Sequence, residues 1–164
     1  NHGISNGKEQ NAWGGALYLY QSEITLNRCK FQNNYFQINA TTSVTYSFGG
    51  AVSLDDSIIE ANFCEFTNNT IYSQSEISKL AGGSFSLYLS KGEITHCVFR
   101  DNFLETDTSI SENMLSGGSI YIYKANSTIS DCYFSQNKIL STTPNTFIQG
   151  GTICSYGSTS MQSS

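Results

Sequence analysis

GGALYLYQSEITLNRCKFQNN, residues 14–34, decides the fold, because the chain repeats it almost column for column. Residues 49–69 read GGAVSLDDSIIEANFCEFTNN, residues 82–102 GGSFSLYLSKGEITHCVFRDN, and residues 117–137 GGSIYIYKANSTISDCYFSQN. A fifth copy opens at Gly150-Gly151 as GGTICSYG and runs out into serines. The glycine pairs Gly14-Gly15, Gly49-Gly50, Gly82-Gly83, Gly117-Gly118 and Gly150-Gly151 are spaced by 35, 33, 35 and 33 residues. Within a copy the Cys, the Phe and the last Asn always lie 14, 16 and 19 residues after the second glycine. All length variation therefore falls in the connector after the Asn, 14 or 12 residues long. A constant scaffold with variation confined to one side is the signature of a solenoid.

Both halves of a copy alternate with period 2, the mark of a half-buried strand. One inward column reads Leu17, Val52, Phe85, Ile120, Ile153 and the next Leu19, Leu54, Leu87, Ile122. Outward columns read Tyr18, Ser53, Ser86, Tyr121 and Tyr20, Asp55, Tyr88, Tyr123, Tyr156. The second strand carries Leu26, Ala61, Ile94 and Ile129 inward, followed by the Cys and Phe columns. No apolar spacing of 3.6 occurs in the repeats, and β-branched and aromatic residues dominate, as suits a pleated surface. A single proline, Pro144, leaves the ladders unobstructed.

These patterns predict an all-β fold, a right-handed parallel β-helix of four to five coils, each coil carrying two or three short strands. The coils span residues 14–48, 49–81, 82–116 and 117–149, with a partial coil at 150–157. Residues 158–164 are a polar tail or the start of a further segment. Stacking in register, about 4.8 Å per coil, turns each column into a ladder. Phe31, Phe66, Phe99 and Phe134 fill the interior. Asn34, Asn69, Asn102 and Asn137 pass amide hydrogen bonds from coil to coil, with a second donor left for a turn carbonyl. Each glycine pair marks a sharp bend needing positive φ or close backbone approach. Neither end of the repeat array carries a recognisable cap, so the expectation is a longer array or coil-on-coil stacking between identical chains.

The repeats resemble those of the chlamydial-type polymorphic outer membrane proteins, whose signature couples GGA(I/L/V) to FxxN. Here the pairs are GGAL, GGAV, GGSF, GGSI and GGTI with FQNN, FTNN, FRDN and FSQN, covering nearly the whole chain. The resemblance implies a secreted β-helix displayed at a cell surface and used in adhesion. The 164 residues include no counterpart of the family's C-terminal translocation barrel, so the resemblance does not extend to outer-membrane anchoring. Richness in Asn, Ser, Gln and Tyr, with sequons at Asn39, Asn68 and Asn126, also suits a protist surface protein bearing the same repeats.

Charge excludes some function classes. With 8 Lys+Arg, 13 Asp+Glu and a formal net charge of -5, no basic stripe exists for nucleic acid. No apolar run reaches the ~18 residues of a membrane-spanning helix. The cysteine column (Cys29, Cys64, Cys97, Cys132) cannot converge tetrahedrally on zinc from a straight ladder, so it reads as buried reduced thiols. Cys154 stands in a different column. Asp55 and Asp56, with Glu60 nearby, are the best catalytic pair on offer, yet they sit in or beside a solvated turn with no Arg or His in their repeat. His96 has no partner in its column, and His2 is near the start of the chain. No cofactor or metal motif is present.

The reading is a non-enzymatic extracellular or cell-surface structural and adhesive β-helix. Its expected partners are neighbouring coils of the same or an identical chain, glycans, and host or cell-surface proteins. Tyr20, Tyr88, Tyr123 and Tyr156, with Tyr18 and Tyr121, form the candidate binding face. Two alternatives stand beside it: a self-assembling extracellular filament subunit, and a carbohydrate-active β-helix enzyme, lyase or hydrolase, using Asp55 and Asp56.

Overall fold

The computed structural model describes residues 1–7, 11–40, 44–107, 113–143, 145–157 and 159–162. Pro144, Thr41 of the first sequon, and Ser158, Ser163 and Ser164 of the tail lie outside the described residues. The chain is an all-β solenoid of parallel sheets with no helix among the described residues. Every strand pairs only with its counterparts one coil away.

Following one coil from its glycine corner, we number the sheets I to V. Sheet I holds Leu17–Tyr20, Val52–Asp55, Phe85–Tyr88, Ile120–Tyr123 and Ile153–Tyr156. Sheet II holds Glu23–Asn27, Ile58–Asn62, Lys91–Thr95, Asn126–Ser130 and Thr159–Gln162. Sheet III holds Lys30–Gln32, Glu65–Thr67, Val98–Arg100 and Tyr133–Ser135. Sheets IV and V come from the connectors. Sheet IV comprises His2–Gly7, Tyr35–Ala40, Thr70–Ser73, Phe103–Thr106 and Lys138–Ser141, and sheet V comprises Asn11–Trp13, Val44–Phe48, Ile77–Ala81, Asn113–Ser116 and Thr146–Gln149.

Three expectations are corrected here. A coil has five strands rather than two or three, because the connector is not a loop but two further strands. Their inward residues Ile38, Ile71, Leu80, Leu104 and Leu115 build a second apolar cluster beside the main one. Length variation is narrower than the whole connector. Between sheets IV and V, residues 39–43 stand against 74–76, and 107–112 against 142–145, so the two extra residues fall at that single corner. The fifth copy also continues past its first strand, since Thr159–Gln162 pairs with Ser127–Ser130 in sheet II.

The main core lies inside sheets I, II and III. Phe31, Phe66, Phe99 and Phe134 pair in register. Their rings stack at 5.0, 4.7 and 5.0 Å with planes within 7° of parallel, close to the strand spacing itself. Phe66 and Phe99 are fully buried, whereas Phe31 and Phe134 at the outer coils are only half-buried. Each fully buried ring is worth roughly 1.5–3 kcal/mol relative to exposure. Phe85 meets Phe66 edge-on from sheet I, locking the first strand to the third.

The asparagine ladder forms as read. Asn34 Nδ2 donates to Asn69 Oδ1 at 2.8 Å, Asn69 to Asn102 at 3.0 Å and Asn102 to Asn137 at 2.9 Å. The second amide hydrogen goes to the Phe carbonyl of the coil before, as in Asn102 Nδ2 to Phe66 O at 2.9 Å. Each Oδ1 also accepts the backbone N–H of the preceding asparagine.

Three of the corners share one device that the residue types did not announce. Gln21, Asp56, Leu89 and Lys124 between sheets I and II are left-handed, with φ of 47–50°. So are Arg28, Phe63, His96 and Asp131 before the cysteines, and Asn33, Asn68, Asp101 and Gln136 before the asparagines. A non-glycine residue there costs about 1–3 kcal/mol unless its surroundings over-determine it. In all of these but Lys124, which precedes Ala125, the next residue carries a side chain that hydrogen-bonds at the corner. Ser22, Ser57 and Ser90 donate to the carbonyl two residues back, and Ser57 and Ser90 also receive the N–H of the serine one coil before. The cysteines copy this pattern with sulfur: Cys97 Sγ donates to Thr95 O at 3.2 Å and accepts Cys64 N–H at 3.3 Å.

The fourth corner uses the glycine pair, with a separate job for each member. Gly14, Gly49, Gly82, Gly117 and Gly150 have φ between 55° and 67°. The second glycine is needed for approach: a Cβ on Gly50 would lie 2.1 Å from Gly83 O.

Replacing one rung of the amide ladder should therefore outweigh a change in sheet IV. Asn102→Leu removes the side-chain donor to the Phe66 carbonyl and strands two N–H donors of Asn69, while Asn137 Oδ1 keeps only the backbone N–H of residue 102, at about 1–3 kcal/mol for each buried group left unpaired. Urea unfolding should show a clear loss for Asn102→Leu and little change for Glu105→Ala; equal midpoints would refute the ladder's structural role.

Candidate functional site

The glycine corner turns the chain from sheet V into sheet I, and the outer faces of these sheets close on one another. Trp13, Phe48, Ala81, Ser116 and Gln149 occupy one outer column of sheet V, and Asn11, Tyr46, Lys79, Met114 and Phe147 the other. Across from them runs the sheet I column Tyr18, Ser53, Ser86, Tyr121, Cys154.

The expectation that this column is exposed throughout is corrected. Tyr121 is 7% exposed, and Ser53, Ser86 and Cys154 are buried too. Tyr121 and Cys154 pack on Ala81, Phe48 and Tyr123 in a small apolar cluster outside the main core. Period 2 says which face a residue points to; it does not say whether a neighbouring sheet covers that face.

Within the column, two serines stand between two tyrosines, and the missing rings leave a groove of about 340 Å³. Its walls are Trp13, Tyr46, Phe48 and Tyr88, its floor is Ser53 and Ser86, and Asn11 and Asp55 stand at its edge. Trp13 stacks on Tyr18 with centroids 5.9 Å apart, and Phe48 meets Tyr121 at 6.0 Å. Lys79 Nζ sits 5.1 Å above the Tyr46 ring and 3.4 Å from its hydroxyl, so this cation is already engaged. A second hollow of about 210 Å³ continues from Tyr46 and Phe48 toward Met114 and Tyr121.

The other tyrosine column stays outward. Tyr20, Tyr88 and Tyr156 are exposed and Tyr123 half-buried. Tyr88 and Tyr123 stack at 5.1 Å with planes 6° apart, Tyr123 meets Tyr156 at 6.3 Å, and Asp55 interrupts the run between Tyr20 and Tyr88.

The remaining candidates are dispersed. Asp55 closes a sheet I strand and lines the groove, whereas Asp56 occupies the left-handed corner and accepts a hydrogen bond from Gln21 Nε2 at 3.2 Å. Glu60 is exposed on sheet II. The cysteines carry free thiols. Cys97 is pushed well above the ordinary thiol range by its hydrogen-bonded neighbours Cys132 and Cys64 and by burial, so it stays protonated. Among the described residues no group of three His, Cys, Asp or Glu side chains could hold a metal ion. His96 is corrected: its column does supply partners, Phe63 stacked at 4.7 Å and Asp131 Oδ2 at 3.8 Å from Nε2. His2 packs edge-on against Tyr35.

Of the sequon asparagines, Asn68 and Asn126 are exposed. Asn39 departs from the expected surface turn: it lies half-buried in a sheet IV strand, its amide bonded to Asn6 Oδ1 at 2.8 Å.

The groove itself was not foreseen. Its one trace in the sequence is that Ser53 and Ser86 stand between Tyr18 and Tyr121 in one column.

Comparison with protein-family models, with curated proteins and with solved structures returned no match.

Burial raises the Tyr121 phenol from 10.0 to about 12, with Cys154 and Tyr156 adding to the effect. The native state thus holds this proton more tightly than the unfolded chain, so the stability it contributes is complete below about pH 10 and declines as pH rises toward 12. Ultraviolet titration of the ten tyrosines should show one late component near pH 12 that vanishes in Tyr121→Phe. A wild-type curve with no late component would place Tyr121 in solvent.

Proposed function

We infer that this chain is a non-enzymatic structural and adhesive β-helix of an extracellular or cell-surface protein. The observation carrying this reading is the stacked tyrosine column on the outside of sheet I, Tyr88 on Tyr123 and Tyr123 against Tyr156. Tyrosine combines a flat apolar ring with a wet hydroxyl, and such rings are enriched where proteins meet partners. Pre-stacked rings also lose little side-chain freedom on binding. The resemblance of the GG/FxxN repeats to the polymorphic outer membrane proteins supports the same reading.

Adhesion of the purified chain to cells or to immobilised glycans should fall in the Tyr88→Ala/Tyr123→Ala double variant while its circular dichroism and Tm stay close to wild type. A wild-type chain that adheres to nothing, or a double variant that adheres equally well, would remove the tyrosine face from the function.

Passage through a eukaryotic secretory route would make the chain a glycoprotein. Glycans are then expected on the exposed Asn68 and Asn126 rather than on the half-buried Asn39. Intact-mass and glycopeptide measurements on native material test this; an unmodified Asn68 and Asn126 would speak for a source without that route.

A further inference from the structure

We propose that the groove between sheets V and I binds a short segment of a neutral oligosaccharide. The inference rests on the adhesive reading above and names its site and ligand class. At about 340 Å³ the groove lies near the lower end of the ~300–1,000 Å³ typical of ligand sites, matching a few sugar rings rather than a folded partner. Trp13, Tyr46, Phe48 and Tyr88 offer ring faces on its two walls, which suits the apolar faces of pyranose rings.

Charge narrows the class. Among the described residues the groove's one charged lining residue is Asp55, so a sulfated or carboxylated sugar would meet repulsion there, while sugar hydroxyls can donate to the carboxylate. A quaternary ammonium would also satisfy aromatic rings beside a carboxylate. Ser86 decides between them. Its side chain is fully buried in the groove floor and its hydroxyl has no hydrogen-bond partner; Ser47, Ser116 and Ser127 share that state, but of the four only Ser86 lines the groove. A buried hydroxyl left unpaired costs about 1–3 kcal/mol, and a ligand hydroxyl supplies the missing partner where an ammonium bearing only methyl groups cannot. The column explains why the groove opens here: the ring that Tyr18 and Tyr121 contribute in other coils is absent at Ser53 and Ser86.

Trp13, the chain's one tryptophan, stands 42% exposed in the groove wall, so its emission reports directly on occupancy. The whole chain is titrated with neutral gluco-, galacto-, manno- and N-acetylglucosamine oligosaccharides, with heparin and tetramethylammonium as anionic and cationic probes. A saturable change is expected with at least one neutral oligosaccharide. Its Kd should weaken about tenfold or more in Asp55→Asn and in Ser86→Ala, as loss of a hydrogen bond to the ligand implies. Ser86→Ala should keep or raise Tm, because it removes an unpaired buried group, which separates weakened binding from weakened folding. Silence toward every neutral oligosaccharide, a response to heparin or tetramethylammonium alone, or unchanged affinity in both variants overturns the proposal. Cell adhesion measured on the same proteins tells the two ideas apart. Adhesion retained by a chain whose Trp13 stays silent overturns the groove and leaves the adhesive reading standing. Saccharide binding without any cell adhesion does the reverse.

Discussion

Backbone hydrogen bonding between successive coils is the constraint on which everything else depends. A parallel ladder is continuous only if each coil returns to the same place one strand spacing away, so every corner must superimpose on the corner beside it. Gly50 shows how little room this leaves, since a methyl group there would stand 2.1 Å from the carbonyl of Gly83. The left-handed residues at three other corners express the same demand. Their conformation is intrinsically costly, and at all but one of them the side chain that follows bonds its own coil, the neighbouring one or both. Serine, cysteine and asparagine are interchangeable in this respect: each is short, and each can donate and accept at once.

That view accounts for what could and could not be read from residues alone. The Phe and Asn columns were legible because each has one residue type at one spacing in four coils, and the stacking they predict is found. The left-handed positions were not, because Gln21, Asp56, Leu89 and Lys124 have nothing chemical in common; only their place before Ser22, Ser57, Ser90 and Ala125 unites them. Sheets IV and V were missed for a different reason. Their inward columns mix Ile38 with Ser73, and Ser47 with Leu80, so alternation is blurred. The register is kept there by hydroxyls, as where Ser73 meets Ser78 and Ser75 accepts the N–H of Ala40. A corner sealed by side chains rather than by a fixed backbone turn can absorb two extra residues. The glycine corner cannot, and this is why the period alternates at one place only.

The groove illustrates a further limit. Alternation along a strand assigns a face, but burial of that face depends on the angle between adjacent sheets, which belongs to the whole coil. Tyr18 and Tyr121 share a column and a residue type, yet one is 44% exposed and the other 7%. The difference comes from what sheet V presents opposite them: Trp13 lies alongside Tyr18, while Tyr121 is enclosed by Phe48, Ala81 and Cys154.

In a repeat protein the conserved columns within the chain carry the fold, and departures from them are where specificity can reside. Asp55 interrupts one outward column of sheet I, and Ser53 and Ser86 interrupt the other; all three departures meet at one groove. Fold stability alone does not call for these changes. The columns tolerate Tyr in neighbouring coils, and Ser86 leaves a buried hydroxyl unpaired when a smaller alanine would leave none. An array built for rigidity alone would be expected to keep its columns filled. Aromatic walls, a carboxylate and a hydroxyl floor converging where the columns are interrupted is the pattern expected of a surface shaped for a ligand.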